Sequence, residues 1–308
     1  MTEKLSFVTF FSKDYLIYGL TLIDSVRQWH PTSKVFLFPL DEESRSSLVK
    51  KYESEANVKI LEKPEINKAI NSFQQQGRSR AEAIFTVKPQ IIALAVDASE
   101  PGSMIFYCDA DLYFFGKIPE EMYRDKELVI SKHLFQAKLV GHLKYGRFNA
   151  GFVGIRNSDL GLAALQSWIK LCTQKCSKVP DENSFADQKY LESFEKYGDV
   201  LGIASSIGLN QSLWAFDGEQ EIKEGPEVNG ISMICFHFHG LRAFKDYVAT
   251  DIDRYGKLSK RQSIIRWIYE PYIESLKKNR ESVLVHLEER ELSFRERLQP
   301  HKFVKWVL

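Results

Sequence analysis

Short apolar runs alternate with amphipathic segments through the first hundred residues, and that alternation constrains the fold more than any other feature. The runs LSFVTFF (5–11), KVFLFPL (34–40) and VKIL (58–61) are rich in β-branched and aromatic residues, as strands are. Between them, DYLIYGLTLIDSVRQWH (14–30) and EESRSSLVKKYE (42–53) read as helices from the spacing of their apolar residues. RAEAIFTVKPQIIALAVD (80–97) reads as a third helix, broken or kinked at Pro89, which lacks a backbone donor. This rhythm predicts an α/β fold with a mostly parallel central sheet and helices on both faces. Ligands of such sheets bind beyond the carboxyl ends of the strands.

The next apolar run, MIFYCDADLYFF (104–115), has Asp109 and Asp111 in its middle. A carboxylate in a dry interior needs a partner or takes up a proton. Either the strand ends there, or something positive lies between the pair. On a strand, residues i and i+2 face the same side, so both carboxylates would project together. Two close carboxylates repel unless a cation bridges them, and hard oxygen ligands suit Mg²⁺ or Mn²⁺. A second D-x-D, Asp251-Ile-Asp253, lies in polar surroundings and reads as a solvated turn or helix cap.

Further along, ELVISK (127–132) and FNAGFVGIRNS (148–158) read as strands, and LGLAALQSWIKLCTQKC (160–176) and DQKYLESFEKYG (187–198) as helices. In the late strand SMICFHFHG (232–240), His237 and His239 share one face. Imidazole beside carboxylate leans towards Mn²⁺ over Mg²⁺. Residues two apart on a strand are separated by roughly 6–7 Å, against about 2 Å for a metal–imidazole bond. One ion held by Asp111 is therefore expected to reach only one of the two histidines, leaving the other to donor or acceptor handling or to packing.

Several classes are excluded. With 42 Lys+Arg against 41 Asp+Glu, the 308 residues carry a formal charge of +1, which argues against a nucleic-acid partner. No G-x-G, P-loop or G-x-S-x-G motif occurs. Cys108, Cys172, Cys176 and Cys235 are scattered and read as reduced, mostly buried thiols. The start, MTEKLSFVTFF, has no apolar run of signal-peptide length, and no later segment is long enough to span a bilayer, so a soluble cytoplasmic protein is expected. From about Tyr255 the sequence is charged and helical, with a break at Pro271. One catalytic domain (1–250) with a helical C-terminal extension (251–308) is expected. Charges of both signs in that extension favour docking or homodimer packing, with peripheral membrane contact left open.

YCDADLYFF, FNAGFVGIRNS, DQKYL and HFHG, in that order, resemble the GT-A retaining glycosyltransferases of family eight, which include glycogenin and lipopolysaccharide sugar transferases. FVTFFSKDYLIYGLTLIDSV resembles that family's opening strand and helix, and FTVKPQIIALAV its lysine-bearing helix. The resemblance spans about residues 5 to 245. It implies a nucleotide-diphosphate sugar donor of the UDP-sugar type, a saccharide, lipid-linked or protein acceptor, and a divalent metal, Mn²⁺ or Mg²⁺. By the same resemblance Asp109 would contact ribose and metal, Asp111 the metal, and His237 would be the third ligand. Lys88 would sit near the donor phosphate or sugar, Asn149, Asp187 and Gln188 would hold the transferred sugar, and Thr9 and Tyr15 would lie against uridine. Where the family often places a diphosphate-gripping lysine this chain has Ala243, with Arg242 and Lys245 as substitutes. Two other readings stay open from the residues: a metal-dependent nucleotidyltransferase and a non-catalytic sugar-nucleotide binder.

Overall fold

The computed structural model describes residues 5–217, 219–257, 262–299 and 302–305. The end of the expected extension, 306–308, lies outside the described residues. In chain order the elements begin with β1 (Leu5–Phe11), α1 (Leu16–Trp29), β2 (Lys34–Pro39), α2 (Glu42–Tyr52), β3 (Val58–Ile60), α3 (Pro64–Gln75) and α4 (Arg80–Asp97). They continue with β4 (Met104–Cys108), β5 (Leu112–Phe114), β6 (Leu128–Lys132), β7 (Phe148–Arg156), α5 (Asp159–Gln174), β8 (Leu201–Ala204) and β9 (Leu209–Gln211). Three two-residue strands follow, β10 (Ile222–Lys223), β11 (Glu227–Val228) and β12 (Ile231–Ser232), and then β13 (Cys235–His237), β14 (Arg242–Ala243) and β15 (Tyr247–Ala249). The chain closes with α6 (Gln262–Ile264), α7 (Glu270–Arg280), α8 (Phe294–Arg297) and β16 (Phe303–Lys305).

The chain divides into two compact units, each assembled from separate segments. The first holds residues up to Phe10, Thr32–Asp109 and Ile118–Ser205, and the second holds Phe11–Pro31, Ala110–Lys117 and everything from Ser206 onward. The first unit is built on a seven-stranded sheet of order β3-β2-β1-β4-β7-β6-β8. β1 runs parallel to β4, β2 to β3 and β6 to β8, while β7 is antiparallel to both its neighbours. Its core joins sheet residues such as Val8, Ile105 and Val153 to Val87, Ile91 and Ile92 of α4 and to Leu165 and Trp168 of α5. Burying such side chains stabilises a fold by about 1.5–3 kcal/mol each.

Three readings change. α4 runs unbroken from Arg80 to Asp97 through Pro89. Pro89 is buried beside Val87, Lys88, Ile91 and Ile92, and that packing outweighs the lost helical hydrogen bond. The stretch 62–79, to which the sequence pattern assigns no element, contains α3. Pro64 sits in its first turn, and Ile66 and Ile70, one turn apart, bury its single apolar stripe. The segment 187–198 is wound as a 3-10 run from Lys189 that Gly198 interrupts with a left-handed φ of 58°.

In the second unit β13 lies between β5, antiparallel, and β9, parallel. α7 packs on α1, where Asn279 Nδ2 donates to Asp24 Oδ2 at 2.9 Å. Much of the charged C-terminal segment is thereby tied to its own unit. All four cysteines are free and buried, as expected. Among the described residues no helix is long and apolar enough to cross a membrane.

Candidate active site

The strand carrying the acidic pair ends before it. β4 stops at Cys108 and β5 starts at Leu112, so Asp109-Ala110-Asp111 forms a turn, not a strand with both carboxylates on one face. The charges account for the break, since neither carboxylate belongs in the fully buried row that precedes it. The passage from the first unit to the second falls between Asp109 and Ala110. Each carboxylate has its own surroundings.

In the first unit, Asp109 is fixed through its backbone N–H, which donates to Gly151 O of β7 at 2.8 Å. Its carboxylate accepts a short hydrogen bond from the Tyr107 hydroxyl and lies 3.4 Å from Lys88 Nζ. Lys88, 3% exposed, projects from the middle of α4 and pairs more closely with Asp187 Oδ2, at 2.9 Å. The Tyr107 ring lies 5.0 Å from the ammonium. Burial works to strip Lys88 of its proton, but Asp109 and Asp187 prevail and hold it charged far above the usual lysine range. Burial pushes the Asp187 carboxyl up against the pull of Lys88.

The peptide carrying Asp187 is positioned by its neighbours. Trp168 Nε1 donates to Asp187 O at 2.8 Å, and Ala186 is held at a positive φ of 47°. Such a conformation costs a non-glycine residue about 1–3 kcal/mol and persists only where surroundings impose it. Gln188 is pinned at both ends of its amide, accepting from Ala150 N and donating to Tyr145 O. Asn149 in β7 is likewise oriented: Oδ1 accepts from Gly151 N at 2.7 Å, and Nδ2 faces His133 Nε2 at 2.9 Å. Thr9 is buried in β1, and its hydroxyl has no hydrogen-bond partner among the described residues. The structure thus brings Lys88, Asp109 and Asp187 into one charge cluster, with Asn149 and Gln188 bonded to the backbone of the β7 segment 149–151.

In the second unit, Asp111 meets the late histidines. Its Oδ1 lies 3.1 Å from His237 Nε2, and its backbone carbonyl accepts from Phe238 N. His237 Nδ1 donates to Asn210 Oδ1 at 3.2 Å, leaving Nε2 to present its lone pair towards the carboxylate. Something positive must then lie between those two atoms, a proton or a metal ion. Burial acts to raise the Asp111 carboxyl, and His237 with His239 overcomes it, leaving the group below its ordinary value.

β13 ends at His237, so strand spacing does not separate the two histidines as expected. Ligand atoms of Asp111, His237 and His239 lie within 4.8 Å of one another, the one such three-residue group among the described residues. Asp109 is not a member of it. The Trp214 ring lies 5.7 Å from that of His237 and 6.0 Å from that of His239. Tyr18 OH accepts from Ala243 N, and its own proton is held tightly by burial, with Asp111 adding to the effect. Lys245 pairs at the surface with Glu289, Arg242 is exposed in β14, and Tyr15 is 52% exposed. The second D-x-D behaves as a surface turn: Asp251 pairs with Arg254 and Asp253 with Lys302.

The galactosyltransferase LgtC, solved with donor and acceptor sugar analogues, superposes with a TM-score of 0.51 at 15% identity, covering 96% of this chain and 99% of that one. The chain has the GT-A fold. The bifunctional glycosyltransferase WbbM superposes with a TM-score of 0.55 at 12% identity, over 93% of this chain and 52% of that one. In sequence, the uncharacterized protein YfnF of Bacillus subtilis is 26% identical over 254 residues, 77% of this chain and 82% of YfnF. YfnD of the same organism, also uncharacterized, is 26% identical over 234 residues, 71% of this chain and 70% of YfnD. No family model matches.

Sequence reasoning missed Tyr107, Asn210, Trp214 and His133. Tyr107 and Trp214 looked like ordinary core aromatics. Asn210 sits in β9 at a left-handed φ of 50°, and nothing short of its pairing with β13 links it to His237.

Proposed function

We propose that this chain is a metal-dependent glycosyltransferase of family eight, moving a hexosyl group from a UDP-sugar to an acceptor with retention at the anomeric carbon. One observation carries the reading. A single turn at the carboxyl end of β4 sends Asp109 into a buried lysine–carboxylate cluster and Asp111 into a carboxylate–imidazole group of metal-ligand type. The GT-A fold supports it.

The donor set suits a divalent ion. The facing Asp111 Oδ1 and His237 Nε2 require a positive occupant, and Asn210 fixes the imidazole in the ligating tautomer. Asp111 and His237 would hold Mn²⁺, with Mg²⁺ the poorer fit, and Asp109 would serve the ribose. When bound, the ion supplies Lewis acidity against the charge of the departing nucleoside diphosphate. Arg242 and Lys245 add positive charge there. The unpaired Thr9 hydroxyl suits a polar edge of the base, and Tyr15 its face.

The transferred sugar falls to Asp187, Asn149 and Gln188. An oxocarbenium-like carbon is stabilised by nearby oxygen dipoles or a carboxylate. Protonated Lys88 keeps Asp187 oriented, and the bonds on Asn149 and Gln188 hold each amide in one orientation. The acceptor is a saccharide, a lipid-linked glycan or a protein. A panel of UDP-sugars with Mn²⁺ tests the assignment through release of UDP. Full activity after exhaustive chelation refutes the metal requirement, and pyrophosphate released from UTP would mark a nucleotidyltransferase instead.

A further inference from the structure

We infer that His239 is a direct ligand, so that the ion is held by two imidazoles and one carboxylate. The inference rests on the metal-centre reading above and concerns which side chains supply the bonds. Two ligand atoms on one ion, each about 2.0–2.2 Å from it, lie within about 4.4 Å of one another. The ligand atoms of Asp111, His237 and His239 lie within 4.8 Å, a few tenths of an ångström from that limit.

The local chain explains how both rings reach one point. β13 stops at His237, and Phe238 N donates to Asp111 O, drawing the next residues around the carboxylate. The two imidazoles stand nearly perpendicular, at 89° with centroids 5.9 Å apart, so their edges converge where parallel strand neighbours would not. Phe238 between them turns the opposite way and stacks on Tyr272 at 3.7 Å. Gly240, at a φ of 90°, then redirects the chain. A Cβ there would stand 2.7 Å from Asp251 Oδ2, so the turn is closed to other residues without movement.

The chemistry has a consequence. Two imidazoles and one carboxylate carry one negative charge fewer than the expected two carboxylates and one imidazole. Such a set favours Mn²⁺, Co²⁺, Ni²⁺ or Zn²⁺ over Mg²⁺, which prefers oxygen. Mn²⁺ and Co²⁺ titrations of the full chain, read by electron paramagnetic resonance and by visible absorption, test this without turnover. His239→Ala should weaken Mn²⁺ binding at least tenfold, dim the Co²⁺ bands and leave Mg²⁺ affinity within about twofold. His239→Asp should recover Mn²⁺ binding while shifting preference towards Mg²⁺. Mn²⁺ affinity unchanged in His239→Ala but lost in Asp111→Asn overturns the inference and spares the metal centre. Affinity unchanged in both overturns the two together.

Discussion

Replacing Lys88 by Met should expose how much of the first unit's stability rests on one ammonium. Lys88 is 3% exposed and stands 2.9 Å from Asp187 and 3.4 Å from Asp109. Methionine keeps the volume of the stem but leaves Asp187, itself 3% exposed, without a cation. Breaking a buried pair by removing one partner costs about 3–5 kcal/mol, a factor of roughly 10²–10³·⁵ in the folding equilibrium. Asp109 also faces the ammonium but is partly exposed, so water takes up part of its loss. The loss should depend on pH. Burial already raises the Asp187 carboxyl, and losing Lys88 raises it further. A carboxyl whose folded value lies above its unfolded value contributes stability below the unfolded value and loses it as pH rises through the folded one. The gap between wild type and Lys88→Met should therefore be widest near neutrality and narrow as pH falls towards 5. Urea denaturation at pH 5 and pH 8 measures it. In Lys88→Met with Asp187→Leu both charges are gone, and stability should largely return while turnover does not. A loss below about 1 kcal/mol for Lys88→Met at pH 8 would show that the pair is hydrated or that Asp187 is already protonated, and the argument would fail.

Asp111→Asn should abolish metal-dependent UDP release while Asp253→Asn, whose carboxylate pairs with Lys302 in a surface turn, stays near wild type; steady-state assays of both decide whether the first D-x-D is the working one. Asp187→Asn should lower kcat far more than it weakens UDP binding by calorimetry, and an equal loss in both would move Asp187 to the nucleotide. Gly161→Ala should cost about 1–3 kcal/mol of stability, because a Cβ there would stand 2.1 Å from Arg156 O, and a midpoint unchanged in urea would contradict that packing. Glu82 caps α4 and accepts from Lys178 N, which lowers its carboxyl to about 2, so its contribution is present above pH 4.5 and lost as pH falls towards 2. The Tm difference between wild type and Glu82→Gln should accordingly shrink between pH 7 and pH 3.

The parts of this fold legible in the sequence are those whose signal is local. β1, β2, α1 and α2 carry their period in their own residues, and each emerged within a residue or two of its expected bounds. α3 hid because Ile66 and Ile70 form a stripe too narrow to stand out among polar neighbours. The acidic turn was legible as a conflict between apolar context and charge that left a strand end and a bridging cation both open, because the partners that decide between them lie far away in sequence. Lys88 precedes Asp109 by 21 residues and His237 follows Asp111 by more than a hundred. His239 was misplaced for a simpler reason: strand geometry was extended two residues past where the strand stops.

Phe238 stacks on Tyr272 of α7, and Tyr113 of β5 meets the same ring edge-on at 5.5 Å. The segment after residue 250 is thus the backing against which the HFH strip is pressed. A chain ended at that point would keep Asp111, His237 and His239, yet Phe238 would face water and the strip would lose what aims its imidazoles. Tail and histidine strip cannot be exchanged as independent modules. Sequence drift in α7 would be felt first in how the two imidazoles are aimed.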